Sequence, residues 1–528
     1  MNKALKIVII FFVGVLLAMS AIAFIGPYLM NDYLKSALIE EFNVQTKQEY
    51  TLDFSTFDIG IFRRSISIDS ISVLPDSAAP HIREIKASSI SLIGIKWRTL
   101  FNKSFPDFNT IMITEPEVEL FTRNFSASDF SNSSNNQNAE IANNLAKFDL
   151  IIQNGSGKLL EPDRREVLVI RDISLEARNV DINALLDGSE LFFLEDLTIS
   201  GSGLKWSLED KLYQFTINNF SFDKNNERIS LENLAMTPVV PKYEFSKIRA
   251  YQLDRIDLKI PRVELSGFKL DSLASEHLDI DSLKVSDAWM EVFRNKQIDR
   301  APGISTKPLL NEVAHSFDFS FGLDHVLISD ATIIYEEHKP PSDTSGSISF
   351  NEIDATLTKF RTAEHPRFFK DTLKLHVETL FMDVTPLTVD INYPIFDEQD
   401  THTVKARLES FDPKAAGNML ENVGFVRIED GLIKNLDAEF ELNSEKASGK
   451  LEVLYQNLKV SFLNKENPDR EKFFQRTGDL LANTFVIKSN NDNATPRVGE
   501  IAFEREDGKS IFAYWWKSLL SGIEDTIK

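Results

Sequence analysis

The sequence predicts a mainly β protein. The expected order is an N-terminal transmembrane helix, an elongated, curled, repetitive antiparallel β-sheet groove with short helices, and a C-terminal amphipathic helix. Three observations predict it. Apolar residues alternate with polar ones over most of the chain from Tyr50 onward. Helical spacing is confined to a few short stretches. One strand pattern occurs twice, over 90–124 and again over 263–295. In that repeat ISLIGIKWRTL answers to VELSGFKLDSL, which aligns Gly94 with Gly267, Lys96 with Lys269 and Leu100 with Leu273. Glu119 and Phe121 then match Glu291 and Phe293 across a gap of one residue, and an Arg-Asn pair closes each copy. Repeated units of this kind stack, because none buries its apolar face alone.

The first element is apolar. Lys3 and Lys6 precede a run of 19 residues over 7–25 with almost no polar side chain. As a helix it is about 28 Å long, close to the thickness of a hydrocarbon core. The flanking lysines favour a cytoplasmic N-terminus. Ala21-Ile22-Ala23 makes a cleaved signal peptide the alternative, although the apolar run continues past it to Ile25. We therefore expect an anchor over 1–27 and a membrane-proximal helix over 28–49, where Leu29, Tyr33, Leu34, Ala37, Leu38 and Phe42 recur at helical spacing.

The β region is expected over 50–509. YTLDFSTFDIGIF, SISIDSISVL and the stretches over 82–95 and 111–121 alternate strictly. A polar Ser/Asn-rich stretch over 126–140 reads as a flexible insert. Asn154-Gly155 between apolar runs is a hairpin signal, and similar steps recur in HVLISDATIIYEE and FVRIEDGLIKNLDAEFEL. Ser200–Gly203, Asn225-Asn226 and Asp430-Gly431 supply further turns. Short helices are expected over 413–422, 468–483 and 510–527, with 305–315 a weaker candidate. No composition break divides this region into domains.

Composition excludes several functions. The chain carries a net charge of −22, and nucleic-acid binding rests on neutralising phosphates with Lys and Arg, so no nucleic-acid partner is expected. It has no cysteine, which excludes disulfides, Cys-ligated zinc, iron–sulfur clusters and Cys nucleophiles. Forty Phe against 10 Tyr and 5 Trp favour surfaces that stay dry, or an ordinary Phe-rich core.

Catalytic motifs are missing. Gly155-Ser156-Gly157-Lys158 resembles a fragment of a phosphate loop, but Ile152 replaces the first glycine and Leu159 follows the lysine. The eight histidines never fall at ligand spacing on one helix. The acidic clusters Asp279/Asp281 and Asp397/Glu398/Asp400 read as solvated charge. No enzyme activity, metal or cofactor is expected.

The anchor, the strand–corner–strand unit ending in a Glu/Phe strand, and hairpins of the form xIxxGxIxxL resemble the AsmA-like superfamily, which includes the TamB-type proteins. Gly449-Lys450-Leu451, Tyr455-Gln456-Asn457-Leu458 and the tail from Gly499 to Ile523 are similar to shorter members of the Bacteroidetes type. The resemblance implies a β-groove, apolar inside, held in the inner membrane with most of the chain in the periplasm. It also implies a part in phospholipid movement or outer-membrane assembly, with phospholipid acyl chains as cargo. Exposing a 16-carbon chain to water costs about 12 kcal/mol, and an apolar groove removes most of that cost. Alternation selects the lining: Ile66, Ile68, Ile90, Leu92, Ile111, Ile113, Val118, Leu120, Val263, Leu265, Ile280 and Phe293. A non-enzymatic assembly scaffold with a filled core is the alternative. On the last helix, Phe512, Trp516, Leu519, Ile523 and Ile527 are expected to share one face, with Trp515 beside it. That face would plug the groove, touch a bilayer or dock an envelope protein partner, with packing onto the sheet as the plainer alternative.

Overall fold

The computed structural model describes residues 31–46, 49–60, 62–75, 82–96, 108–122, 147–180, 196–208, 212–269, 277–300, 307–463, 488–492 and 494–527. The anchor segment over 7–25, the insert over 126–140 and the helix expected over 468–483 lie outside them. Among the described residues no helix is long and apolar enough to cross a membrane. Of these residues 61% are strand and 13% helix, so the mainly β expectation holds. The chain nevertheless divides into two compact units, 1–234 and 235–528, where composition showed no break.

The first unit opens with helix α1 (Asn31–Gln45). Strands β1 (Tyr50–Asp53) and β2 (Thr56–Gly60) both pair with β3 (Ser65–Pro75), which pairs with β4 (Ile82–Ile93). The two halves of β4 pair with β5 (Thr110–Thr114) and β6 (Glu117–Phe121). Both of these run parallel to β7 (Phe148–Leu160). An antiparallel meander continues through β8 (Glu166–Val180), β9 (Asp196–Ser207) and β10 (Tyr213–Asp223). β11 (Arg228–Pro238) follows.

The second unit repeats this arrangement. Helix α2 (Lys242–Arg249) precedes β12 (Asp254–Lys269), whose halves pair with β13 (His277–Ser286) and β14 (Trp289–Asn295). After helix α3 (Leu310–His315), β15 (Ser320–His338) runs parallel to both. β16 (Gly346–Arg361), β17 (Leu373–Phe381), β18 (Thr385–Tyr393), β19 (His402–Leu408), β20 (Val426–Leu442), β21 (Lys446–Phe462) and β22 (Val498–Glu504) then pair antiparallel in order. Helix α4 (Ile511–Ile527) ends the chain.

The repeat is conserved down to register. Ile90 pairs with Ile113 and Val263 with Val285; Ile85 pairs with Val118 and Leu258 with Met290. Left-handed residues recur at matching places: Gly94 and Gly267, Glu115 and Asp287, Asn154 and Asp330, Asp172 and Glu352. At the β5–β6 break the Ser156 N–H donates to the Pro116 carbonyl at 2.7 Å, and in the second copy the Thr332 N–H donates to Ala288 at 2.8 Å. Leu100 and Leu273 lie outside the described residues.

Three expectations need correction. The sheets are mixed, not purely antiparallel, since β5, β6, β13 and β14 each make a parallel ladder. Asn154-Gly155, Asp330 and Asp430-Gly431 are not hairpin turns. Each lies inside one long strand, where the register shifts by a bulge. A left-handed Asn or Asp supplies the extra residue of a bulge as readily as the corner of a turn. Ser200–Gly203 likewise falls within β9. Asn225-Asn226 is the turn it was expected to be, and the wound segment Pro413–Gly424 matches the helix expected there.

Candidate functional site

The candidate site is the apolar face of each unit. In the first, the pairing registers line up one row across seven strands: Ile68, Ile90, Ile113, Ile152, Leu175, Ile199 and Phe222. A neighbouring row runs Ile66, Leu92, Ile111, Leu150, Ala177 and Leu197. Burial changes along the first row. Ile68, Ile90 and Ile113 are buried, whereas Ile152, Leu175, Ile199 and Phe222 are only half-buried. Val118 and Leu120, expected to line a groove, are half-buried and pack against the same cluster.

Helix α1 accounts for the covered end. Leu38 and Phe42 are buried in the cluster that holds Ile66, Ile68, Ile90, Leu92, Ile111 and Ile113. Lys35 fastens the helix by donating to the Phe54 carbonyl and by an ion pair with Asp53 at 3.2 Å. These six isoleucine and leucine side chains are therefore packed core. Access to the face begins at β7.

The second unit shows the reverse gradient. One row runs Leu265, Leu283, Val326, Leu357, Leu375, Ile391, Val404, Phe440, Gly449 and Ile501. Its neighbour runs Val263, Val285, Ile328, Ala355, Val377, Val389, Ala406, Ala438, Leu451 and Gly499. The first row is half-buried from Leu265 to Leu375, and from Ile391 onward its side chains Ile391, Val404, Phe440 and Ile501 are buried. Ile280 is half-buried and pairs with Phe268 and Leu323.

Phe293 departs from expectation. On β14 it alternates with Val292, so it points to the other face, where Tyr243 of α2 meets it edge-on at 5.2 Å. Its ladder neighbours there are Arg255 and Glu336, and it is 1% exposed. Phe293 is a seat for α2, not part of the apolar face.

Opposite the apolar face, the second unit carries a charged ladder: His376, Asp390, Lys405, Glu439, Lys450 and Glu500 are successive cross-strand neighbours. His376 Nδ1 bonds Asp390 at 2.7 Å, and Lys405 pairs with Glu439 at 2.9 Å. That hydrogen bond to Asp390 raises the pKa of His376. Opposite charges across a ladder each contribute about 0.2–1 kcal/mol and keep this face in water.

Helix α4 closes the far end. Tyr514, Ser518, Gly522 and Thr526 are buried, and Trp515, Leu519 and Ile523 pack on the cluster beneath. Leu519, Ile523 and Ile527 thus share the inward face as expected, whereas Phe512 and Trp516 point away from it and Trp515 packs in their place. A Cβ on Gly522 would stand 2.7 Å from Ile501 and 2.9 Å from Leu451, so only glycine permits this approach. The Trp515 indole N–H donates to His402 Nε2 at 2.9 Å, and Tyr393 stacks on the imidazole at 4.1 Å. Burial lowers the His402 pKa to about 4, which keeps the ring neutral and able to accept.

One cluster was not foreseen. His277, Asp279 and His365 place ligand atoms within 4.8 Å of one another, although His365 is 86 residues from Asp279 in sequence. The set suits a metal by residue type. Its hydrogen bonds do not: the Arg367 backbone N–H donates to His365 Nδ1 at 3.1 Å. The neutral ring then carries its proton on Nε2, directed at Asp279 Oδ1 3.1 Å away. Arg367 also donates to Asp279 at 2.9 Å, and buried Arg361 bridges Asp324 and Asp371. Burial opposes ionisation of Asp279, yet the bonds from His365 and Arg367 hold its carboxyl below the usual range. This is a charged clasp joining β13, β15 and β16. Gly155–Lys158 forms no phosphate cradle, since it lies within β7 and Lys158 pairs with Glu119 at 3.1 Å.

Compared with known proteins, the chain matches no family model and no curated sequence.

Proposed function

We propose that this is a non-enzymatic carrier of phospholipid acyl chains, anchored in a bacterial inner membrane through residues 7–25, with the bulk of the chain in the periplasm. The observation that carries the reading is one apolar row in each unit that remains half-buried, Ile152 to Phe222 over β7–β10 and Leu265 to Leu375 over β12–β17. An acyl chain laid along such a row avoids about 0.8 kcal/mol of exposure per methylene. The residues along it offer no buried polar group that would need a partner. The resemblance to AsmA-like proteins points the same way.

The alternative, an assembly scaffold for the envelope, draws on the two filled ends. Beneath α1 and α4 the rows are packed side chain against side chain, with nothing left for a ligand. Acyl contact is therefore assigned to Val285, Val326, Leu357 and Leu375, and not to Leu92 or Ile501. A photo-reactive residue at Val326 that yields phospholipid adducts supports the carrier; adducts only to other proteins would favour the scaffold.

A further inference from the structure

The outer side of α4 carries an arrangement that the apolar face does not use. Phe512 and Trp516, one turn apart, are 72% and 56% exposed. Cations collect around Lys509, three residues before Phe512. Lys509 leads into the helix and Lys517 follows Trp516, while Lys296 and Arg300 arrive from the segment after β14. The strand-to-helix segment before α4 is held at Lys307: the Lys307 N–H donates to the Asp507 carbonyl at 2.9 Å, and Arg505 donates to the Lys307 carbonyl at 2.7 Å. Lys517 pairs with Glu506, and Lys296 pairs with Glu337 at 2.6 Å. Among the described residues no acid lies at ion-pair distance from Lys509 or Arg300.

We propose that the first two turns of α4, with Lys509 and Arg300, dock on an anionic phospholipid surface. Exposed Phe and Trp side by side suit the headgroup boundary, where a ring is half dry and half wet. The chain as a whole carries −22 and Glu506 and Asp507 are exposed in the same segment, so the attraction rests on Lys509 and Arg300, and salt screens the remaining charge beyond about 10 Å. Burial, followed by the charges of Arg300, Lys517 and Lys296, brings the Lys509 pKa down to about 8 against the opposing charge of Glu506. The proposal stands whether or not the apolar face carries lipid.

The test uses the full chain with its N-terminal segment held in a phosphatidylcholine nanodisc. It is mixed with sedimentable vesicles, either of phosphatidylcholine alone or of phosphatidylcholine and phosphatidylglycerol in equal amounts. The protein is expected to sediment with the mixed vesicles only and to be released by salt. Lys509→Gln with Arg300→Gln should weaken binding about thirty-fold, each cation near such a surface being worth about 1 kcal/mol. Phe512→Ser with Trp516→Ser should weaken it as well, with unchanged circular dichroism. Equal sedimentation of all variants, or equal binding to phosphatidylcholine alone, would overturn the proposal. So would capture on immobilised polyglutamate without vesicle binding, which would hand the surface to an acidic protein.

Discussion

Gly499 on β22 and Gly522 on α4 meet backbone to backbone: a Cβ on Gly499 would overlap the Gly522 carbonyl oxygen and the Thr526 hydroxyl. The row beneath runs through Ala406, Ala438 and Leu451 to Gly499, and Leu451 lies against Gly522. The helix is thus seated by the absence of side chains. Gly499→Val should cost about 1–3 kcal/mol by overpacking, read as a lower urea midpoint. Proteolysis within 511–527 should accelerate in the same variant. An unchanged midpoint with a protected helix would show that the seating has been misread.

Acid should loosen the same helix through His402. Unfolded, the imidazole titrates near about 6.5; folded, burial lowers it to about 4. Between those values the unfolded chain binds a proton that the folded chain refuses. This contribution is therefore complete above about pH 6.5 and is lost as pH falls to about 4, by about 3 kcal/mol in all. Asp400, whose carboxyl is raised by burial, acts in the opposite sense. The comparison is therefore between wild type and His402→Gln, whose midpoint should fall less steeply across that window.

Burial separates positions that the sequence treats alike. Leu92 and Val285 both lie on apolar rows, but Leu92 is fully buried and Val285 half-buried. Leu92→Ala should cost about 2–5 kcal/mol. Val285→Ser should cost well under half of that and lower the amount of co-purified phospholipid. Parallel losses of stability in the two variants would mean that the second unit's face is as filled as the first unit's covered end.

The clasp at β15 and β16 is a structural commitment. Arg361 is 2% exposed and faces Asp324 and Asp371. Arg361→Met removes the buried partner of both carboxylates, leaving Asp324 only Arg367 at 3.6 Å and Asp371 only Lys359 at 4.0 Å, and should cost about 3 kcal/mol in thermal or urea unfolding. Replacing both aspartates by asparagine in that background should recover much of the loss.

Most strands were legible because alternation is local, and the repeat was legible because Gly94 and Gly267 serve the same left-handed position. The parallel ladders were not, since nothing within β6 or β14 records that the chain returns beside it in the same direction. Bulges passed for turns because Asn154 and Asp330 meet the same backbone demand in either setting. Phe293 was placed wrongly because its strand carries apolar residues on both faces, one of them covered by a helix, α2, that the sequence did not announce. On α4 Leu519, Ile523 and Ile527 were placed correctly but Phe512 and Trp516 were not: Ser518, Gly522 and Thr526 also point inward because a close approach favours small side chains, which a count of apolar residues overlooks. The His277–Asp279–His365 cluster draws on residues 86 apart, beyond any spacing motif.

The central claim is that acyl chains lie on the half-open part of the apolar face. A photo-reactive phenylalanine derivative placed in the full chain at Val326, at buried Leu92 or at Thr358 on the polar face tests it directly. Mass spectrometry of the irradiated protein should find phospholipid adducts at residue 326 and none at 92 or 358. A folded protein with no adduct at 326, or with equal adducts at all three sites, would contradict it.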